Sequence, residues 1–245
     1  MDSAIAAVGQ RLKAATSVVV LTGAGISAES GIPTFRDPGG LWQQYRPEDL
    51  ATPEAFRRDP QLVWEWYDWR RQKIAAASPN PGHYALAQME KIFSDFLLIT
   101  QNIDGLHRTA GNRNLIELHG CIWQVRCLAE GTVLENREVP LKVLPPYCVC
   151  GSLLRPDVVW FGEPLSVETQ AQAFGATGGT DAFLTIGTSA LVQPAASLPL
   201  MAKDRGALVV EINPVPTPIT PFVDNHLEGQ AGRILPQILS ILAEI

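Results

Sequence analysis

The chain is predicted to be an α/β protein, with one lobe built on a parallel sheet and a smaller lobe inserted into it. Short β-branched and apolar runs without polar alternation recur along the chain, as in strands buried on both faces. Helix-like stretches fall between them, which is the order of an open α/β sheet. Two segments break the alternation. Residues 36–81 are rich in Trp, Arg and Pro and read as short helices with loops, and residues 122–154 hold cysteines and few helix signals. The predicted larger lobe is therefore discontinuous, comprising residues 1–35, 82–121 and 155–245, with the smaller lobe at 36–81 and 122–154. A ligand is expected in the cleft between them.

Taken in order, the N-terminal segment spaces its apolar residues as an amphipathic helix does. Residues 17–22 (SVVVLT) form the first strand and run into a glycine turn. Residues 96–100 (FLLIT), 182–186 (AFLTI) and 207–212 (ALVVEI) share that character. Residues 83–93 and 195–203 read as helices. Residues 233–245 read as a closing helix with Pro236 near its first turn. No internal repeat or low-complexity tract interrupts this order.

Composition excludes several classes of function. Of 245 residues, 46% are hydrophobic and 18% charged, enough for a sizeable core. The net charge of −6, without a basic stripe, argues against nucleic acid as a partner. No apolar run reaches the roughly 18 residues of a membrane span. Asp2 stands where a signal peptide carries basic charge, so a cytoplasmic location is expected. The four cysteines fall between positions 121 and 150, a clustering that points to metal rather than to disulfides in such a compartment.

Thr22-Gly23-Ala24-Gly25-Ile26-Ser27-Ala28 follows the first strand as a GxGxxA turn. Such a turn either lets backbone amides approach a pyrophosphate or serves tight packing. Gly31 and Pro33 then end the helix early, and residues 32–37 become a loop that reads as a mobile cover. This departs from a dehydrogenase and counts against simple hydride transfer. The second strand runs into Gln101-Asn102-Ile103-Asp104, which either caps the helix starting near Gly105 or faces a polar ligand such as nicotinamide. His119, just before Gly120, is the candidate general base. His83 and His107, in helix-like contexts, and His226, in a loop, are assigned surface or structural roles.

Taken together, GAGISAESGIPTFRD, QNIDGLH, ELHG, RPDVVWFGE, GTSALVQPA and VVEINP, in that order, resemble the sirtuin family of NAD-dependent protein deacylases from residue 17 to residue 236. The resemblance implies a Rossmann-type lobe, a small lobe made of a helical and a zinc-binding insertion, and NAD in the cleft. It implies acylated-lysine proteins or peptides as substrates, with release of nicotinamide and an acyl ADP-ribose ester. By position, His119 is the base acting on a ribose hydroxyl, and Asn102 and Asp104 serve the ribose and nicotinamide. Gly23, Ala24, Gly25 and Ala28 take the phosphates, and Phe35 and Arg36 belong to the covering loop. Gly187, Thr188 and Ser189 contact the cofactor and Asn213 its adenosine side, while Trp42, Gln101, Ile103 and Ala231 complete the NAD set. Residues 159–163, with Val159, Phe161, Gly162 and Glu163, and residues 191–194, with Val192, resemble the two edges that clamp an extended peptide.

On a helix, Tyr67 and Arg70 project from one face. They resemble the Tyr and Arg of the sirtuin class that removes acidic acyl groups, so succinyl- or malonyl-lysine is expected, with acetyl-lysine as a further substrate. Without the resemblance, Arg70 and Arg71 read as a solvated face. Cys127-Leu128-Ala129-Glu130 and Cys148-Val149-Cys150 stand where two CxxC pairs would hold zinc. Either Cys127, Cys148 and Cys150 bind zinc with Glu130 or water as fourth ligand, or the site has decayed. Cys121 is not counted as a ligand. Two other readings use the same residues: a protein ADP-ribosyltransferase, and a weakly active NAD-binding regulatory module.

Overall fold

The computed structural model describes residues 3–35 and 39–244, apart from the side chain of Trp42. The predicted cofactor contacts of Arg36 and of the Trp42 side chain lie outside the described residues. Among those described, nine strands form two sheets: β1 (Ser17–Thr22), β2 (Asp95–Thr100), β3 (Leu115–Glu117), β4 (Gly120–Cys127), β5 (Val133–Glu135), β6 (Leu154–Val158), β7 (Ala182–Ile186), β8 (Leu208–Asn213) and β9 (Asn225–Glu228). Six make a parallel sheet in the order β3-β2-β1-β7-β8-β9, and the other three an antiparallel sheet in the order β5-β4-β6. The winding reverses between β1 and β7, so a crevice opens there beyond the carboxyl ends of the strands.

The unalternating runs have a physical cause in two buried faces. Val18 and Val20 pack into one layer with Ile5, Val8, Leu86 and Leu235, from helices Ser3–Leu12, Pro81–Ile92 and Ala231–Leu242. Val19 and Leu21 pack on the opposite side with Ala173, Leu198 and Ala202, from helices Val167–Thr177 and Leu198–Asp204. A third core joins Phe56, Trp64 and Tyr67 to Ile122, Val125 and Trp160, and so unites the helical insertion with the small sheet. Among the described residues no helix is long and apolar enough to cross a membrane.

The elements differ from expectation in a few places. Residues 36–81 contain a 16-residue helix, Pro60–Ala75, rather than short helices alone. Asp59 caps it, accepting from Leu62 N at 3.0 Å, with Pro60 in its first turn. Its apolar periodicity is weak because Asp68, Arg70 and Arg71 are turned inward. Asp68 accepts from Leu141 N at 2.9 Å, and Arg71 donates to the carbonyls of Asn136 and Glu138, so charged groups tie this helix to the neighbouring insertion. The closing helix begins at Ala231, which places Pro236 in its second turn. His226 lies in β9 rather than in a loop.

Candidate active site

The glycine turn is held by its own packing. Gly23 N donates to Ile186 O at 3.0 Å and Gly25 N to Gly187 O at 2.8 Å. A Cβ on Gly23 would lie 2.8 Å from Gly187 O, and one on Gly25 would lie 2.7 Å from Gly187 Cα. Only glycine lets these backbones approach, so both residues serve tight packing, and both also line the cleft. The expectation that their amides reach a phosphate is corrected, since both donate inside the protein. Ala24, whose amide has no protein acceptor among the described residues, also lines the cleft. Gly31, at φ +81°, turns the chain out of the short helix Gly25–Ala28, and Ile32 to Phe35 then line the cleft.

Beyond β2, Thr100 Oγ1 receives Asn102 N at 3.1 Å, and Asn102 Nδ2 donates to Gly23 O at 2.9 Å. The amide of Asn102 thus faces inward, and its oxygen has no protein partner among the described residues. Asp104 accepts from Leu106 N at 2.9 Å, a turn bond at the start of the helix Leu106–Ala110, whose cap position is Gly105, and from Ser27 Oγ at 2.8 Å. Neither side chain caps that helix, and Asn102 and Asp104 both line the cleft. Burial raises the Asp104 carboxyl, against the bonds from Leu106 and Ser27 and the Arg70 charge. Ser27, 1% exposed, was missed as a site residue because a serine inside a glycine turn reads as turn chemistry.

His119 Nδ1 lies 3.0 Å from Gln101 O. A carbonyl can only accept, so Nδ1 carries the proton and Nε2 is left with its lone pair. Burial lowers the pKa of His119, opposed by the Gln101 carbonyl, and favours the neutral base. Gly120 follows at φ +77°, where a Cβ would lie 2.2 Å from Asp157 O, so glycine is required to bring β4 back beside β6. His83 and His107 are both interior, not at the surface. His83 accepts from Asn80 N in a helix capping box, and burial takes its pKa to about 4. His107 contacts Thr22 Oγ1 at 3.0 Å.

The cleft, of about 960 Å³, gathers the remaining residues. Gln101, Ile103, Gly187, Thr188, Ser189, Asn213, Ala231 and Ala28 line it. Asn213, at the end of β8, donates from Nδ2 to Thr188 O at 3.2 Å. Polar groups thus stand beyond β2 and β3 and again beyond β7 and β8, with the free Ala24 amide between. A dinucleotide fits this arrangement.

At the small-lobe end, Tyr67 and Arg70 both line the cleft and are both buried, so the solvated-face reading is overturned. The Arg70 guanidinium lies 5.0, 4.9 and 5.9 Å from the ring centres of Phe35, Trp66 and Tyr67. No described carboxylate pairs with it. Burial lowers its pKa, opposed by Tyr67 and Asp104. Trp160 Nε1 donates to Tyr67 OH at 2.9 Å, which leaves the phenol proton for a ligand, and burial raises the Tyr67 pKa. Arg71 does not join this site, being held by Asn136 and Glu138.

Val159, Phe161, Gly162, Glu163 and Val192 line the cleft, although neither of the two predicted edges is a regular strand. Glu163 has a structural role: Arg155 grips it at 2.6 and 2.9 Å, and it accepts from Trp160 N at 2.8 Å.

Away from the cleft, ligand atoms of Cys127, Glu130, Cys148 and Cys150 lie within 4.8 Å of one another, and Cys121 is not among them. The sulfurs of Cys127 and Cys150 are 3.5 Å apart. Tetrahedral zinc, with bonds of about 2.3 Å, sets its sulfurs about 3.8 Å apart, so the group fits a structural ion with Glu130 in the fourth place. Purified protein is expected to contain one zinc per chain by elemental analysis. Glu130→Ala should lose zinc to a chelator faster and melt several degrees lower. Metal-free protein with an unchanged melting temperature would show that packing alone holds the module.

Comparison with known proteins accords with this geometry. The Sir2 family profile matches residues 23–194. A protein of Aquifex aeolicus named NAD-dependent protein deacylase is 54% identical over 229 residues, covering 93% of this chain and 96% of its own. A crystal structure of a Sir2 homologue with NAD superposes with a TM-score of 0.92 at 46% identity, over 100% of this chain and 94% of the other. A Sir2 protein bound to a myristoylated histone peptide superposes at 0.81 with 35% identity, over 99% and 97%. This chain belongs to the Sir2 family and is an NAD-dependent enzyme.

Proposed function

We propose that the enzyme removes succinyl- and malonyl-type groups from protein lysines, and acetyl groups more slowly. The observation that carries the acyl preference is the Arg70 guanidinium, buried among three aromatic rings on the cleft wall with no described carboxylate of its own. A buried cation held by ring faces and by the more distant Asp104 charge, with no carboxylate in contact, stays costly, and an incoming carboxylate relieves that cost. The Tyr67 phenol adds one donor. Deacylation itself is supported by the names of the relatives and by the acylated peptide bound to a neighbour.

NAD supplies a ribosyl carbon with nicotinamide as leaving group, to which the acyl oxygen can bond. His119 Nε2 stands as acceptor for a ribose hydroxyl proton, with Gln101 O holding the ring in the required tautomer. Asn102 and Asp104 offer an amide and a carboxylate at the polar floor, fixed by Gly23 O, Ser27 and Leu106. Phe35, whose ring centre lies 5.0 Å from the Arg70 guanidinium, brings the segment after the glycine turn to the acyl end of the cleft.

The test incubates NAD with a succinyl-lysine peptide and resolves the products by mass spectrometry. Free lysine peptide, nicotinamide and a succinyl ester of ADP-ribose, in equal amounts, are expected. ADP-ribose attached to protein, with the acyl-lysine intact, would instead establish ADP-ribosyl transfer. Tyr67→Phe should lower kcat/KM for the succinyl peptide about tenfold.

A further inference from the structure

The end of β8 carries an arrangement that the chemistry at His119 does not use. Glu211 is 2% exposed and does not line the cleft, although Asn213, two residues on, does. Thr217 Oγ1 donates to one oxygen of the Glu211 carboxylate and Thr220 Oγ1 to the other. Thr217 N in turn donates to Thr220 Oγ1 at 2.8 Å, and His226 Nε2 stands 4.0 Å from the carboxylate.

The segment fastened in this way, Pro214-Val215-Pro216-Thr217-Pro218, is cleft wall throughout. Its prolines at 214, 216 and 218 have fixed φ and no N–H, so the strap is stiff but poor in backbone donors, and its backbone bond, Thr220 N to Thr217 O at 3.1 Å, lies within the same turn. A carboxylate on an interior strand ties that turn to the sheet. In the sheet order β8 lies beyond β7, on the side of β1 away from β2 and β3, past whose carboxyl ends come Asn102, Asp104 and His119. The reacting end of NAD belongs beside His119, so the strap faces the adenosine end.

We infer that Glu211 is a positioning residue: by anchoring the proline strap through Thr217 and Thr220, it sets affinity for the adenosine half of NAD and takes no part in the chemistry. The inference rests on the proposed reaction only in placing NAD's reacting end at His119. Glu211→Ala is expected to raise KM for NAD about tenfold and to weaken ADP-ribose binding by calorimetry similarly, while kcat at saturating NAD and KM for the acyl peptide stay within about twofold. Thr220→Val should shift both in the same direction by less, and Thr220→Ser should restore them. If Glu211→Ala does not fold, the Thr220 pair carries the test alone. A fall in kcat with unchanged KM for NAD, or a Thr220→Ser variant as impaired as Thr220→Val, would overturn the inference. ADP-ribose binding reads the strap even if wild-type protein deacylates nothing, so failure of the proposed reaction is separately visible.

Discussion

Replacing His119 with alanine is expected to lower kcat for deacylation by about 10²–10⁴-fold, the range for losing a positioned general base, while leaving the protein folded. His119 Nδ1 makes one hydrogen bond, to Gln101 O, and the ring is only partly buried, so the cost in stability is about 1 kcal/mol. Circular dichroism and melting should therefore barely change. The pH dependence follows from the same geometry. The proposed mechanism needs neutral Nε2, and burial lowers the pKa below the ordinary 6.5, so activity is expected to rise with pH through a midpoint below that value. Above it activity levels off. The alanine variant should lose this acid limb along with its rate. Wild-type rates in the variant would remove His119 from the mechanism.

Gly187→Ala is expected to destabilise the fold by roughly 3 kcal/mol or more and to weaken NAD binding well beyond tenfold. Gly187 has φ +60°, and a Cβ there would lie 2.5 Å from Ile26 N and 2.8 Å from Gly25 C. Nothing on that side is a flexible side chain, so the two loops meeting at the winding reversal must part. The bond from Gly25 N to Gly187 O goes with them, and the Ala24 amide loses its placement. Gly175 is the control, since it lies within the helix Val167–Thr177 and a Cβ there meets nothing within 4 Å. Gly175→Ala should stabilise by about 0.5–1 kcal/mol. Urea titration with NAD-binding calorimetry checks both variants, and a Gly187→Ala protein equal to wild type would contradict the interlocked-loop account.

The central strands of the parallel sheet were legible because burial on both faces leaves them apolar runs, with polar residues mainly at the ends of β1, β2 and β8 and a lone Thr185 in β7. Edge strands β3 and β9 are only three and four residues long and carry Glu117, Asn225 and Glu228, so no run announced them. Helix Pro60–Ala75 was obscured for the opposite reason, since it buries Asp68, Arg70 and Arg71 on the face that an apolar stripe would mark. In the small sheet, Gln124, Arg126, Arg155 and Asp157 alternate with buried residues, and Pro156 weakens the strand signal further.

The cleft residues were legible as short segments at the ends of strands. What those segments do to one another was not. That Gly23 and Gly25 use their amides on the protein depends on the turn at Gly187, far along the chain. That Glu163 serves Arg155 and Trp160 depends on a fold of the chain back on itself. Spacing alone cannot report such pairings, because they are set by tertiary packing.

The acidic-acyl pocket is the central claim, and its direct measurement is kcat/KM for succinyl-lysine and acetyl-lysine in one peptide, for wild type and Arg70→Met. Losing a buried charge-assisted pair costs about 2–3 kcal/mol, or roughly 30- to 150-fold in kcat/KM. The account predicts that wild type prefers the succinyl peptide, that Arg70→Met loses this preference by about that factor, and that acetyl turnover survives. An acetyl preference in wild type that Arg70→Met leaves unchanged would contradict it.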